Sequence, residues 1–163
     1  GAALSPAEVA ELLAMHENIA YVKEEAPPIL QRIVKVRQLA GATCRGVFGG
    51  ANGQFLIDEL ERGAAGNMPA GGFIDVQVKI YNRYQSGDKS GAAALHQQLL
   101  SLLNFASMYG VTFHKYLLQR RGVLATPYAR DPQRTELTAE DKASIDTYWA
   151  LIASEVLETY PLT

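Results

Sequence analysis

The first seventy residues alternate three times between a helical and a strand pattern, and this alternation restricts the possible folds more than any other feature. Apolar residues recur at helical spacing in residues 5–18, 29–41 and 55–62. Each of these segments is followed by a short strand-like run that is mostly apolar or small, in residues 19–25, 44–48 and 64–68, and the first of these runs ends in three charged residues. Strands separated by single helices and short loops are typical of a parallel sheet with crossover helices, so we predict an α/β fold.

The rest of the chain carries only helical patterns. Four helices are predicted, in residues 73–85, 92–108, 111–121 and 138–160. An open sheet of three parallel strands would leave unpaired apolar edges, which soluble proteins avoid. We therefore predict the C-terminal part of a (β/α)8 TIM barrel, a fold of about 250 residues. Residues 1–72 would form the last β/α units of the barrel, and residues 73–163 the closing barrel helix and a C-terminal helical extension.

Local signals place several helix boundaries. Ser5 and Glu8 have the spacing of a capping box, with Pro6 at the first helical position. Thr138 opens the last helix with a similar pattern. Gly41 is the predicted C-cap of the second helix because glycine adopts the backbone conformation that ends many helices.

Composition and charge exclude several classes of partner. The formal net charge is −2, and no basic excess suggests nucleic acid. No apolar run approaches the roughly 20 residues that span a membrane. The single cysteine, Cys44, cannot form an internal disulfide, which fits a reducing compartment. We expect a cytoplasmic protein in which Cys44 is a buried, inert thiol.

Metal and phosphate sites are weakly supported. His16, His96 and His114 are scattered over predicted helices without ligand spacing, so no metal site is predicted. The glycine-rich residues 49–53 precede a helix and could bind a phosphate through backbone N–H groups. They lack the Lys-Ser/Thr pair of a P-loop, so a turn that lines a pocket is the preferred interpretation.

Lys23 is the strongest candidate for chemistry. In an extended strand Tyr21, Lys23 and Glu25 share one face, and Val22 and Glu24 share the other. Desolvation favours the neutral amine of a lysine, which attacks a ketone to form a Schiff base. The alternative is a lysine that leaves the core with its strand and pairs with a neighbouring carboxylate. Spacing alone favours this second interpretation.

Several segments in order resemble the dihydrodipicolinate synthase/N-acetylneuraminate lyase superfamily. They are residues 21–24, 47–50, 62–66 and 86–88, with Lys115 and residues 130–132. The resemblance covers the chain from the helix before barrel strand six to the C-terminal helices. It therefore implies that the three predicted strands are barrel strands six to eight. It implies a class I lyase in which Lys23 forms a Schiff base with a 2-keto acid, without any other cofactor. It also implies that Gly49, Gly50 and Met68 line the substrate pocket, and that the protein is a homotetramer.

Within this superfamily, residues 23–25 and 63–70 resemble the branch that dehydrates 2-keto-3-deoxy sugar acids, such as L-2-keto-3-deoxyarabonate dehydratase. An iminium on Lys23 would acidify the C3 proton, and loss of the C4 hydroxyl needs an acid or base nearby. Glu25 shares the face of Lys23 and is the candidate for that role. The alternative for Glu25 is an ion-pair partner that sets the position of the lysine. The alternative activity is a pyruvate-dependent aldolase or a dihydrodipicolinate synthase.

The resemblance also predicts what this stretch lacks. The superfamily keeps its carboxylate-binding loop and catalytic tyrosine on earlier barrel strands, and Tyr21 does not match that tyrosine. We therefore expect N-terminal barrel strands as the partner of this chain. Alone, the chain would be an inactive half-barrel or would associate through its exposed sheet edge.

Overall fold

The computed structural model describes residues 3–131 and 135–155. These residues form two compact units, one ending at Pro69 and the other beginning at Ala70. Within the described part of the chain, no helix is both long and apolar enough to cross a membrane.

The first unit alternates helices and strands in the predicted order. Its elements are α1 (Pro6–Met15), β1 (Tyr21–Glu24), α2 (Ile29–Ala40), β2 (Gly46–Gly49), α3 (Leu56–Glu61) and β3 (Gly66–Asn67). Short 3₁₀ turns, Gly41–Thr43 and Ala51–Gly53, precede β2 and α3. The α/β class predicted from the alternation is therefore observed.

The three strands form a parallel sheet in the order β1-β2-β3. Lys23 is opposite Phe48 and Glu24 is opposite Gly49 across the first pair of strands. Gly49 is in turn opposite Asn67 in β3. Because the strands are parallel, the residues that follow them all emerge at one edge of the sheet.

One face of this sheet is covered by helix side chains. Its buried core consists of Ile33 and Val36 from α2, with Val47 and Ala64. Partly buried residues pack against this core: Val9, Val22, Ile29 and Cys44. Burying a branched aliphatic side chain contributes about 1.5–3 kcal/mol, so this layer holds the sheet against the helices.

The predicted helix caps are present. The Ser5 side chain accepts a hydrogen bond from Glu8 N, and the Glu8 carboxylate accepts one from Ser5 N. Thr138 and Asp141 make the same reciprocal pair at the last described helix. Gly41 ends α2 with a φ of +52°, as expected of a glycine C-cap.

The second unit is helical. It contains α4 (Ile74–Gln85), α5 (Lys89–Tyr109), α6 (Val111–Arg120) and α7 (Ala139–Ala153). The long helix α5 packs against the other three. Beneath them, the buried Arg121 guanidinium pairs with Asp75, donates to the Gly72 carbonyl at 2.8 Å and lies 4.6 Å from the Trp149 ring.

Some boundaries differ from the sequence prediction. β2 begins at Gly46 rather than at Cys44, because the chain leaves α2 through a 3₁₀ turn, and Cys44 is half-buried just after it. Helix α5 begins at Lys89 rather than at Ala92, because the Asp88 side chain caps it through Gly91 N. The last predicted helix, to residue 160, runs past the described residues. Pro132, one of the landmark residues, also lies outside them.

Candidate active site

The candidate site lies where the strands of the first unit end. β1 ends at Glu24 and β2 ends at Gly49, which are opposite one another. β3 ends at Asn67, opposite Gly49. In open and closed α/β sheets, this edge is where ligands bind.

Alternation along β1 separates Lys23 from Glu24. Tyr21 and Lys23 are exposed on one side of the strand, whereas Glu24 is buried on the other. The ring of Tyr21 lies beside Phe48 of β2, with ring centroids 5.9 Å apart. The period-two pattern of the sequence therefore places the Lys23 amine on the sheet face opposite to that of Glu24.

Lys23 and Glu25 form an ion pair. The Lys23 Nζ atom is 3.1 Å from Glu25 Oε2, and the two side chains are 38% and 51% exposed. Glu25 Oε1 accepts a hydrogen bond from Ala51 N at 3.0 Å. This backbone donor is the main cause of a lowered pKa at Glu25, and the Lys23 ammonium adds to it. Glu25 is therefore a carboxylate at neutral pH.

The turn after β2 is shaped to hold Glu25. Ala51 and Asn52 both have positive φ angles, of 48° and 55°, which are uncommon for residues with a side chain. At Gly50, a Cβ atom would lie 2.1 Å from Glu25 Cγ, so only glycine allows this close approach. The Glu25 side chain thus packs against the backbone of the turn and accepts a hydrogen bond from it.

Glu24 fixes the same strand end from the opposite face of the sheet. Its Oε1 accepts a hydrogen bond from Ala26 N at 2.8 Å, and its Oε2 is 3.0 Å from Arg32 Nη2 of α2. Arg32 also donates to the Leu4 carbonyl at 2.6 Å. A buried carboxylate with both oxygens bonded fixes the end of β1 against α2.

A third carboxyl group, that of Glu59 in α3, packs against the end of β2. Its side chain is fully buried, and burial raises its pKa to about 7. Its Oε2 accepts a hydrogen bond from Asn67 Nδ2 at 2.7 Å. Its Oε1 has no hydrogen-bond partner among the described residues.

Asn67 connects Glu59 to the turn. Its Nδ2 group also donates to the Gly50 carbonyl at 2.9 Å. At Gly49, a Cβ atom would lie 1.9 Å from Glu59 Oε2, so the carboxyl group packs directly on the β2 backbone. The end of β2, the end of β3 and α3 are therefore joined through Glu59 and Asn67.

The structure brings together some of the residues predicted from sequence. Glu25 forms the ion pair with Lys23 and packs against Gly50. Gly49 packs instead against Glu59. Met68 is 44% exposed at the end of β3, and its N–H donates to the Gly49 carbonyl at 3.0 Å. Their assignments as catalytic or pocket-lining residues stay predictions.

The sequence analysis did not assign Glu59 or Asn67 to the site. A signal was present, since Glu59 lies between Leu56 and Leu60 on the buried stripe of α3. A carboxylate on an apolar stripe indicates a special environment, because isolated buried charges are costly. Among the described residues, no group of three or more metal-ligating side chains is clustered.

Comparison with known proteins identifies the family. A model of the dihydrodipicolinate synthetase family matches residues 1–148. L-2-keto-3-deoxyarabonate dehydratase from Azospirillum brasilense is 30% identical over 146 residues, which cover 89% of this chain and 47% of the relative. Both findings confirm the resemblance that the sequence motifs indicated.

Solved structures give the same result. The dihydrodipicolinate synthase from Rhodopseudomonas palustris has a TM-score of 0.81 at 27% identity, over 90% of this chain and 50% of that structure. A dihydrodipicolinate synthase family protein from Coccidioides immitis shares the fold, with a TM-score of 0.78 at 23% identity over 95% and 52%. This chain spans about half the length of the relatives it matches. On the family match and the shared α/β fold, the chain belongs to the dihydrodipicolinate synthetase family.

Proposed function

We propose that this chain is the part of a class I lyase that carries the Schiff-base lysine. The lyase acts on 2-keto acids, and Lys23 is the nucleophile. The observation that carries the proposal is the Lys23–Glu25 pair at the carboxyl edge of the sheet, with Nζ and Oε2 3.1 Å apart. A carboxylate at this distance can accept the ammonium proton and so produce the neutral amine that attacks a ketone.

The first stage forms the covalent intermediate. Glu25 takes a proton from Lys23, and the amine adds to the C2 carbonyl to give a carbinolamine. Glu25 returns the proton to the carbinolamine oxygen, which leaves as water. The product is an iminium on Lys23, with Glu25 again a carboxylate, the form that its lowered pKa favours.

The second stage is the dehydration itself. The iminium draws electrons from C3, and Glu25 removes a C3 proton to give an enamine. The same proton then goes to the C4 hydroxyl, which leaves as water. Hydrolysis of the conjugated iminium consumes one water and releases Lys23, so the reaction removes one water from the substrate overall.

The substrate we favour is a 2-keto-3-deoxy sugar acid of the L-2-keto-3-deoxyarabonate type. The support is the 30% identity to the Azospirillum brasilense dehydratase. The runner-up is a pyruvate-dependent aldolase or synthase, favoured by the likeness to the Rhodopseudomonas palustris synthase. Product analysis separates them, because dehydration, followed by tautomerisation of the unsaturated product so that C5 becomes an aldehyde, gives a semialdehyde and no pyruvate, whereas retro-aldol cleavage releases pyruvate.

We further propose that the first unit corresponds to barrel strands six to eight and that the rest of the site comes from earlier barrel strands. Gly49, Gly50 and Met68 would then line the pocket that holds the keto acid, and no cofactor beyond the Schiff base is needed. The domain division at residues 1–72 and 73–163 and a homotetramer belong to the same proposal.

The test is trapping of the iminium with borohydride in the presence of pyruvate, followed by mass spectrometry and peptide mapping. The adduct is expected on Lys23 and is expected to be absent from the Lys23→Arg variant. Lys35→Arg is the matched control, because Lys35 is an exposed lysine of α2 outside the site. An adduct that maps to another lysine, or none at all once the remaining barrel strands are supplied, would contradict the proposal.

A further inference from the structure

We propose that Glu59 is a positioning residue for the reaction at Lys23, acting through Asn67 and the Gly50 carbonyl on the turn that holds Glu25. The inference rests on the proposed function, since it concerns the same site. It assigns a role to the buried carboxyl group that the Schiff-base steps do not use.

The first part of the connection runs from α3 to the turn. Glu59 Oε2 accepts a hydrogen bond from Asn67 Nδ2 at 2.7 Å. The same Nδ2 group donates to the Gly50 carbonyl at 2.9 Å. With both amide protons engaged, the position of Asn67 is set by Glu59 on one side and by the turn on the other.

The second part runs from the turn to the amine. Ala51 directly follows Gly50, and its N–H donates to Glu25 Oε1 at 3.0 Å. Glu25 Oε2 in turn lies 3.1 Å from Lys23 Nζ. The Gly50 carbonyl and the Ala51 N–H belong to one peptide unit, which is planar, so a rotation that moves the carbonyl also moves the N–H.

The packing leaves little freedom for this peptide to adapt. A Cβ atom at Gly49 would lie within 2.2 Å of three atoms of the Glu59 carboxyl group. A Cβ atom at Gly50 would lie within 2.4 Å of three atoms of Glu25. The two glycines therefore lie between the two carboxyl groups, and a shift of Glu59 displaces the backbone that Glu25 contacts.

Glu59 is unfavourable for stability at this position, which argues that it has a role beyond packing. It is fully buried, and one of its oxygens has no partner among the described residues. The ionised groups that act on it are also carboxylates, Asp58 on its own helix and Glu25 at the end of β1. A leucine would fill an apolar stripe without this cost.

The charge state of Glu59 changes the connection in a definite direction. The ionised carboxylate accepts a stronger hydrogen bond from Asn67 than the protonated acid does. Reaction at Lys23 is therefore faster with Glu59 ionised, above about pH 7.

The test compares the pH dependence of pyruvate trapping in the unmodified chain and in Glu59→Gln, both with the remaining barrel strands supplied. Gln keeps the shape and an acceptor for Asn67 but is always neutral. The two rates are expected to agree near pH 5.5 and to differ by roughly tenfold near pH 8.5, the effect of one charge-assisted hydrogen bond. Glu61→Gln, the same change on the exposed side of α3, is the control.

The outcomes distinguish this inference from the proposed function. No adduct in the unmodified chain contradicts the proposed function, and this inference with it. An adduct whose rate ratio to Glu59→Gln is constant with pH contradicts only the positioning role, because a packing defect would not depend on a proton. Equal rates at every pH contradict it as well.

A second variant tests the route through Asn67. If Glu59 acts only through this side chain, Glu59→Gln in an Asn67→Ala background causes no further loss of rate. The NMR chemical shift of the Ala51 backbone amide nitrogen should change with pH with a midpoint near pH 7 in the unmodified chain. This step should be absent from both Glu59→Gln and Asn67→Ala. A second full loss in the double variant would show that Glu59 acts by another route.

Discussion

Two adjacent glycines at the end of β2 each contact a different carboxylate side chain. The missing Cβ of Gly50 leaves room for Glu25, and that of Gly49 leaves room for Glu59. The sequence motif assigned both glycines to the substrate pocket. The structure adds a steric reason for each, and the two reasons predict different consequences of substitution.

Gly50→Ala is expected to separate Glu25 from Lys23 with little effect on stability. The new methyl group would overlap Glu25, whose exposed side chain can move away but then loses the Ala51 hydrogen bond. We expect pyruvate trapping to fall by tenfold or more, about the effect of one charge-assisted hydrogen bond. The free energy of unfolding should change by no more than about 1 kcal/mol. Trapping rates and urea denaturation measure the two effects.

Gly49→Ala is expected to act mainly on stability, in contrast to Gly50→Ala. Glu59 is buried and cannot move away, so the overlap should cost about 1–3 kcal/mol, as overpacking in a core does. Gly71→Ala is the control, because a Cβ atom there meets no other atom within 4 Å. A Gly49→Ala chain as stable as the control would contradict the packing seen around Glu59.

Glu59 also predicts a pH dependence of stability. Its pKa is about 7 in the folded chain, above the ordinary value of 4.5, so the folded state binds the extra proton between these values. Stability is then fully present below about pH 4.5 and is lost as the pH rises through about 7, by about 3 kcal/mol. Glu59→Gln should remove this loss and be the more stable chain at pH 8. Denaturant titrations at several pH values measure it.

At the scale of helices, the two capping boxes have the same pair of hydrogen bonds at similar distances. Thr138→Ala removes the hydroxyl that accepts a hydrogen bond from Asp141 N at the start of α7. We expect the free energy of unfolding to fall by about 1 kcal/mol, typical of an N-cap. Thr138→Ser, which keeps an acceptor oxygen, should retain most of it. Equal losses in both variants would show that the hydroxyl is not the stabilising group.

The elements themselves were largely predictable from local sequence. Apolar residues at helical spacing, bounded by Ser5, Gly41 and Thr138, indicated the helices because caps and periodicity are local signals. The start of β2 was less predictable. Residues 44–45 have a strand-like pattern, but the chain passes through a 3₁₀ turn after α2, and β2 begins only at Gly46.

The candidate site was predictable only in part. The Lys23–Glu25 pair follows from strand alternation, which two residues are enough to define. The contact between Glu59 and Asn67 joins α3 to β3, and the Glu59 carboxyl group packs on Gly49 of β2. No local pattern encodes an arrangement that needs three elements at once.

For the whole molecule, the open sheet is the feature with the largest consequence. In the described part of the chain, β1 and β3 each pair with one neighbouring strand, β2. Unpaired strand edges favour association with further strands. The relatives are about twice as long as this chain, which agrees with our proposal that further barrel strands complete the sheet.

Complementation tests this at the level of the assembly. We expect co-expression with the part of the Azospirillum brasilense relative that this chain does not match to yield a complex. We expect pyruvate trapping at Lys23 to rise at least tenfold over the chain alone, because completing a site restores orientation of the substrate. Sedimentation velocity gives the stoichiometry. A complex without increased trapping would contradict the proposed half-barrel role.

The opposite orientations of Lys23 and Glu24 also limit how such a chain can vary in evolution. We expect gains and losses of residues to be tolerated between Met15 and Tyr21, where no helix or strand constrains the length. Within β1, one inserted residue would reverse every side chain, moving the amine beside Arg32 and the buried carboxylate to the open face. An insertion inside β1 would therefore remove the proposed nucleophile from the site outright rather than weaken it by degrees, so we expect this segment to keep a constant length among functional descendants.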